Sequence, residues 1–86
     1  MDIELSSTFI KSARKLPGNE RKKLSDCIEW FRNDINDSRL KTHPLSGKLK
    51  GLYSFSVTHS KRVLFTFVGE ETVLFLDVGT HGKVYK

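Results

Sequence analysis

The sequence contains one cysteine and no long apolar run, and these two shortages exclude several classes of protein. Cys27 is the single cysteine among 86 residues, so it can form neither an internal disulfide nor a cysteine-based zinc site, and we expect it in the core. No apolar run approaches the roughly 18 residues that span a bilayer. The start, MDIELSST, lacks the apolar segment of a signal peptide. We therefore expect a cytoplasmic protein with no membrane partner and no metal site.

Acidic residues are missing from the middle of the chain. Neither Asp nor Glu occurs between Asp37 and Glu70, although the net charge of the whole chain is only +5. The cations of this acid-free stretch are Arg39, Lys41, Lys48, Lys50, Lys61 and Arg62. Clustered cations attract a polyanion through counterion release and faster encounter, so nucleic acid, the ribosome or an acidic protein is the expected partner.

The first part of the chain predicts a short strand and two helices within a single domain, residues 1–86. Ile3 and Leu5 alternate with acids as in a strand, and Ser6 or Ser7 offers an N-cap for a helix that Pro17-Gly18 ends. Asn19 is the predicted cap of the second helix. Its apolar stripe consists of Leu24, Cys27, Ile28, Phe31 and Ile35. Trp30 lies beside this stripe, where it either widens the apolar face or marks the contact of a partner.

The second part of the chain changes to the two-residue period of β-strands. The segments LYSFSV, RVLFTFV and TVLFLDV alternate in this way, and the connections THSK and GEE are short enough for hairpins. We expect three antiparallel neighbours, the last two of them central because both of their faces are largely apolar. Residues 46–50 are a candidate for one further short strand. The predicted fold class is α+β: a short N-terminal strand, a two-helix hairpin and an antiparallel meander.

Three strings of this sequence carry a resemblance to a known family: HPLSGKLKGLYSF, RVLFTF and VGTHGKVY. Together with the order of the predicted elements, they resemble the RelE/ParE superfamily of toxins from type II toxin-antitoxin modules, and most closely its YafQ-like branch. The positions that match the two short motifs of that branch are His43, Leu45, Gly47, Gly79, Thr80, His81 and Tyr85. The resemblance covers essentially the whole chain.

The resemblance implies a fold, a reaction and partners. The fold is that of the microbial ribonucleases, the protein partner is a cognate antitoxin, and no cofactor is used. In the RelE and YafQ branches the toxin is a metal-independent endoribonuclease that cleaves mRNA in the ribosomal A site. In the ParE branch it inhibits DNA gyrase without nuclease chemistry, so the choice depends on the residues.

The residues needed to cleave RNA without a metal are present. Such a reaction requires a base for the ribose 2′-OH, an acid for the leaving 5′-oxygen and cations that stabilise the phosphorane. Histidine suits both proton transfers because its ordinary pKa is about 6.5. By the YafQ-like pattern we assign His81 as the general acid and His43 as the base or a substrate-orienting group. Arg62, at the head of a predicted strand, is the expected phosphate ligand.

The remaining candidate residues are expected to bind the substrate. They are Lys48, Lys50, Lys61, His59 and Tyr85. Tyr85 matches the terminal aromatic of the family, which stacks on a base or contacts the phosphate, and base stacking contributes about 1–3 kcal/mol. His59 lies about three residues out of register with a further family histidine.

Asp77 is a departure from the family pattern. It stands where the RelE and YafQ patterns have an arginine, four residues before the terminal histidine. The acid then orients a cation such as Arg62 or Lys48, or it marks reduced activity, another substrate or a non-nuclease role. A ParE-like binding toxin and an inactive, antitoxin-binding remnant therefore remain alternatives.

Overall fold

The computed structural model describes residues 1–85 and consists of one five-stranded sheet, three α-helices and a 3-10 turn. The elements are, in chain order, β1 (Asp2–Leu5), α1 (Ser7–Arg14), α2 (Gly18–Asn33), β2 (His43–Pro44), the 3-10 turn (Gly47–Leu49), β3 (Tyr53–Ser56), β4 (Arg62–Phe67), β5 (Thr72–Gly79) and α3 (His81–Val84). This architecture confirms the α+β prediction. Within residues 1–85, no helix is long and apolar enough to cross a membrane.

The sheet has the strand order β1-β5-β4-β3-β2. Strands β3, β4 and β5 form the predicted antiparallel meander, and β4 and β5 are central, as their two apolar faces indicated. The short strand β2 extends the sheet at one edge. At the other edge β1 pairs with β5 in parallel, which makes the sheet mixed. The fold thus returns the N-terminus to the last strand of the meander.

The hydrophobic core lies between the helical hairpin and one face of the sheet. Phe31 of α2 is fully buried, and its ring centroid lies 5.1–5.3 Å from those of Phe55, Phe65 and Phe75 on three successive strands. Cys27 is buried in the same cluster, as predicted, and burial raises the pKa of its thiol. The helices therefore cover one sheet face and leave the other for the site.

The helix boundaries differ from the prediction by a few residues. Ser6 is the N-cap of α1, as expected, and its hydroxyl accepts a hydrogen bond from the Phe9 amide. Helix α1 ends at Arg14 because the next two amides bond to carbonyls only three residues back. The prediction of an Asn19 cap was wrong, since α2 already begins at Gly18 and the Pro17 carbonyl accepts its first two backbone hydrogen bonds.

The predicted strand at residues 46–50 was also wrong. Gly47 and Gly51 have φ angles of +65° and +94°, in the left-handed region, and the residues between them form a 3-10 turn. An extended strand cannot include two such positions. The edge strand lies a few residues earlier, at His43–Pro44, where the residue before proline is held extended.

Candidate active site

The sheet face opposite the helical hairpin carries a row of polar side chains. The register pairs His43 with Ser54 and Ser54 with Leu64, and Leu64 with Asp77, so these side chains share one face. Ser54 is fully buried, and its hydroxyl shares a hydrogen bond with the Tyr85 hydroxyl. His43 is therefore a cross-strand neighbour of a serine that bonds the terminal tyrosine.

Helix α3 brings His81 to the same group of residues. Val84 of this short helix is buried and attaches it to the sheet. The exposed His81 ring packs edge-on against Tyr85, with 4.3 Å between the ring centroids. Through Tyr85 and Ser54, the structure joins the two motif histidines, which the sequence separates by 38 positions (81 − 43).

Arg62 lies in the neighbouring row of the same face. It pairs with Ser56 across β3 and β4, and its Nη1 donates a hydrogen bond to the Ser56 hydroxyl at 3.0 Å. Among the described residues Arg62 takes part in no salt bridge, which leaves its positive charge available. The two serines are thus members of the candidate site that the sequence analysis missed, although their alternation on β3 was visible.

A cleft with a volume of about 870 Å³ opens beside this row. Its lining residues are Asn19, Lys23, Arg39, Lys41, His43, Ser56, Val57, Thr58, His59 and Arg62. These include four Lys or Arg side chains and two histidines but no acid. His81 and Tyr85 do not line the cleft. A ligand that contacts both His43 and His81 must therefore extend beyond the cleft towards α3.

The backbone at Lys41 fixes the His43 ring. The distance from His43 Nδ1 to the Lys41 carbonyl oxygen is 2.9 Å. A carbonyl oxygen only accepts hydrogen bonds, so Nδ1 donates and Nε2 of the neutral ring is left as a proton acceptor. Lys41 adopts a φ of +54°, a left-handed conformation that is uncommon for lysine and costs strain. The strained turn presents His43 in the tautomer that a general base needs.

The predicted lysines lie outside this arrangement. Lys61 pairs with Glu20 of α2, with Nζ 2.9 Å and 3.3 Å from the two carboxylate oxygens, so the helix compensates its charge. Lys48 and Lys50 are exposed in and beside the 3-10 turn and do not line the cleft. Of the predicted substrate-binding residues, only His59 lines the cleft, and only Tyr85 touches another member of the site.

The partner of Asp77 is Lys83, which corrects the expectation of Arg62 or Lys48. Lys83 Nζ lies 3.7 Å from the Asp77 carboxylate, donates to the Ser12 hydroxyl at 2.6 Å and reaches the Val78 carbonyl oxygen at 3.4 Å. These contacts tie α3 to both β5 and α1. The acid at position 77 thus anchors the helix that carries His81.

Arg39 is the most firmly held cation of the cleft. Its Nε and Nη2 donate to the two carboxylate oxygens of Asp37 at 3.0 Å and 2.7 Å, and its guanidinium lies 3.8 Å from the centre of the Trp30 ring. Hydrogen bonds from the side chain and the backbone of Arg39 lower the pKa of Asp37 to about 2. Trp30 is partly buried against the core, so it widens the apolar face, the first of its two predicted roles, and it also supports a cation.

Comparisons with known proteins agree with this fold. No protein-family model and no curated protein matches the chain. The crystal structure of YafQ from E. coli strain BL21(DE3) matches with a TM-score of 0.81 and 21% identity, over 99% of this chain and 98% of that one. The YoeB/ParE toxin from Agrobacterium tumefaciens matches with a TM-score of 0.79 and 16% identity, over 94% and 99%.

A further match is the toxin of a complex. YafQ in the E. coli DinJ-YafQ toxin-antitoxin complex has a TM-score of 0.78 and 22% identity, and the match covers 99% of this chain and 97% of that one. Each of these matches covers nearly the whole of both chains. The chain therefore has the fold of the RelE/ParE superfamily toxins, YafQ among them, as the sequence motifs implied.

Proposed function

We propose that the protein is the toxin of a type II toxin-antitoxin module and acts as a metal-independent mRNA endoribonuclease on translating ribosomes. The observation that carries the proposal is that His43 and Arg62 line a cleft without acidic lining residues, while Tyr85, which packs against His81, hydrogen-bonds to Ser54, the strand neighbour of His43. A purely structural role does not require two histidines and an unpaired arginine in this arrangement. The comparisons contribute the fold, on which such toxins are built.

The proposed reaction is an internal transesterification of RNA. His43 Nε2 takes the proton of the ribose 2′-OH, and the 2′-oxygen attacks the adjacent phosphorus. The bond from phosphorus to the 5′-oxygen breaks, and His81 gives its proton to that oxygen. Arg62 donates to the non-bridging oxygens, whose charge grows in the transition state. The products are a 2′,3′-cyclic phosphate and a 5′-hydroxyl, and both histidines exchange one proton with solvent to restart the cycle.

The proposed protein partner is an antitoxin, and an apolar groove between the two long helices suits it. The groove has a volume of about 380 Å³. Its apolar residues are Leu5, Phe9, Ile10, Ala13, Leu24 and Ile28. Arg14, Arg21 and Arg32 also line it, together with Ser25 and Glu29; Glu29 pairs with Arg32 and leaves Arg14 and Arg21 as the excess positive charge. This surface complements an amphipathic segment with apolar anchors and acidic flanks.

The antitoxin interaction is tested by co-expression with the product of the adjacent reading frame. Ile10→Glu places an acid in the groove without touching the buried core, so this variant should remain toxic when the partner is present. Lys11→Gln makes the same change of −1 in net charge outside the groove and should be neutralised like the parent. Equal neutralisation of both variants would show that the antitoxin binds elsewhere.

The enzymatic activity is tested by induction in a growing culture. The parent should stop amino-acid incorporation within minutes and leave plasmid supercoiling unchanged, whereas folded His81→Ala should allow incorporation to continue, again with unchanged supercoiling. Lys11→Ala, an exposed change on α1, is the matched control and should keep full toxicity. Loss of supercoiling with continued protein synthesis would instead identify a gyrase inhibitor, and a folded His81→Ala protein of full toxicity would remove the nuclease proposal.

A further inference from the structure

The cleft has a wall that the proposed chemistry does not use. Asn19 and Lys23 come from α2, and Arg39 and Lys41 come from the segment before β2, while His43 and Arg62 lie on the sheet side. We propose that this wall, which we call the α2 wall (Asn19, Lys23, Arg39 and Lys41), binds a second phosphate of the RNA strand, one or more nucleotides from the scissile bond. The inference rests on the proposed function and specifies how its substrate is held.

Arg39 is preorganised to bind a phosphate. Its guanidinium rests on the Trp30 ring at 3.8 Å, and Asp37 occupies one edge with two hydrogen bonds. Arginine has five N–H donors, so three remain for a ligand. Asp37 itself does not line the cleft. A side chain that is already fixed loses little conformational freedom on binding, which is the usual advantage of a built site.

Trp30 also positions the second cation of the wall. Lys23 Nζ lies 4.8 Å from the centre of the Trp30 ring, so lysine and arginine share one aromatic support. Asn19 lies four residues before Lys23 on α2 and therefore faces the same side of the helix. A nucleobase that stacked on Trp30 would therefore compete with these cations for the ring. The wall consists of hydrogen-bond donors and positive charge, which suits phosphate better than a base.

The size of the cleft agrees with more than one bound nucleotide. A volume of about 870 Å³ lies near the upper end of the roughly 300–1,000 Å³ that hold drug-sized ligands. Within the cleft, the proposed chemistry uses only the sheet side, where Arg62 and His43 lie. The remaining space is bordered by the α2 wall, so a strand that enters there is directed towards the catalytic row.

The test compares short and long RNA that cannot be cleaved. A trinucleotide and an octanucleotide of 2′-O-methyl RNA lack the attacking hydroxyl, so binding is measured without turnover. For the parent, we expect the octanucleotide to bind about tenfold more tightly than the trinucleotide. Arg39→Gln and Lys23→Gln should each remove most of this gain and leave trinucleotide affinity unchanged. Each should also reduce the salt dependence of octanucleotide binding by about 0.7 per lost phosphate contact.

The control is Lys22→Gln, which removes an equal charge from an exposed position of the same helix outside the cleft. Lys22→Gln should keep the full difference in affinity between the octanucleotide and the trinucleotide. Equal losses in Lys22→Gln and Lys23→Gln, or no gain from length in the parent, would overturn the second phosphate site. Cleavage of unmodified RNA is measured separately. Tighter binding of the octanucleotide without cleavage would support the α2 wall and refute the nuclease proposal. Cleavage without tighter binding of the octanucleotide would refute the α2 wall alone.

Discussion

Replacement of Gly79 by alanine tests how α3 is held over the sheet. A Cβ added at this position would lie 2.7 Å from Lys83 Cδ, closer than carbon atoms can approach. The Lys83 side chain must therefore move, and its contacts with Ser12 and Asp77 must lengthen or break. Since α3 carries His81 and leads into Tyr85, we expect the change to displace the proposed general acid.

The expected cost in stability is small and the expected cost in activity is large. Lys83 is 46% exposed, so its ionic contacts contribute no more than about 1 kcal/mol. Gly79 does not have a positive φ, and alanine there gains about 0.4–1 kcal/mol by restricting the unfolded chain. These terms nearly cancel, so the melting temperature should change by less than about 8 °C. A shift of about 1 Å in a catalytic group, however, costs up to about a hundredfold in rate.

The assay is a double-mutant cycle on RNA cleavage, with thermal unfolding measured on the same samples. Gly79→Ala alone should slow cleavage about tenfold to a hundredfold. Lys83→Ala alone should also slow it, because the anchor of α3 is lost. In the Lys83→Ala background, Gly79→Ala should have no further effect, since the obstructed side chain is absent. Independent, additive losses from the two changes would refute the proposed role of Lys83.

Three other predictions follow from the contacts. Phe31→Ala should lower the free energy of unfolding in urea by about 3–5 kcal/mol, because a fully buried ring is removed, and a loss below about 1 kcal/mol would contradict the described core. The pKa of Asp37 is lowered from its ordinary value of 3.8 to about 2. Ionised Asp37 therefore stabilises the fold fully at pH values above 3.8, and this stabilisation is lost as the pH falls towards 2. NMR titration should therefore give a midpoint near 2, and Arg39→Gln, which removes the guanidinium but keeps the backbone donor, should raise it towards 3.8. Glu20→Gln should release Lys61 from its ion pair and lower the free energy of unfolding by less than about 1 kcal/mol. The released lysine should tighten RNA binding, and weaker binding would contradict the ion pair as the restraint on Lys61.

Local patterns in the sequence were sufficient for most of the fold. The alternation around Phe55, Phe65 and Phe75 correctly predicted three antiparallel strands, and the stripe through Phe31 predicted the second helix. The parallel pairing of β1 with β5 was not predictable from these patterns. It joins residues about 70 positions apart, and the short run around Ile3 does not specify a partner.

The predicted element boundaries were wrong where backbone hydrogen bonds and φ angles, and not side chains, determine where an element begins. Asn19 has the side chain of a good cap, but the Pro17 carbonyl had already accepted the first bonds of α2. The candidate strand at residues 46–50 failed because the left-handed glycines 47 and 51 turn the chain there. Residue propensities describe side chains, so they do not reveal which backbone group accepts the first hydrogen bonds of a helix or where the chain must turn.

The site was predicted only as far as the motifs reach. His43, His81 and Arg62 were proposed from the sequence; the structure places His43 and Arg62 in one cleft and His81 outside it, on α3. The compensation of Lys61 by Glu20 depends on α2 packing next to the β3–β4 hairpin, 41 residues away in sequence. The support that Trp30 gives to Arg39 and Lys23 likewise requires the folded chain, although the spacing of Lys23 and Trp30 on α2 was a usable signal.

The most direct test of the central claim is to incubate the purified protein with mRNA, once on programmed ribosomes and once free in solution, and to map the ends. The account predicts cleavage on ribosomes that leaves 2′,3′-cyclic phosphate ends, with no cleavage by folded His81→Ala. No cleavage by the parent in either tube, or equal cleavage by His81→Ala, would contradict it.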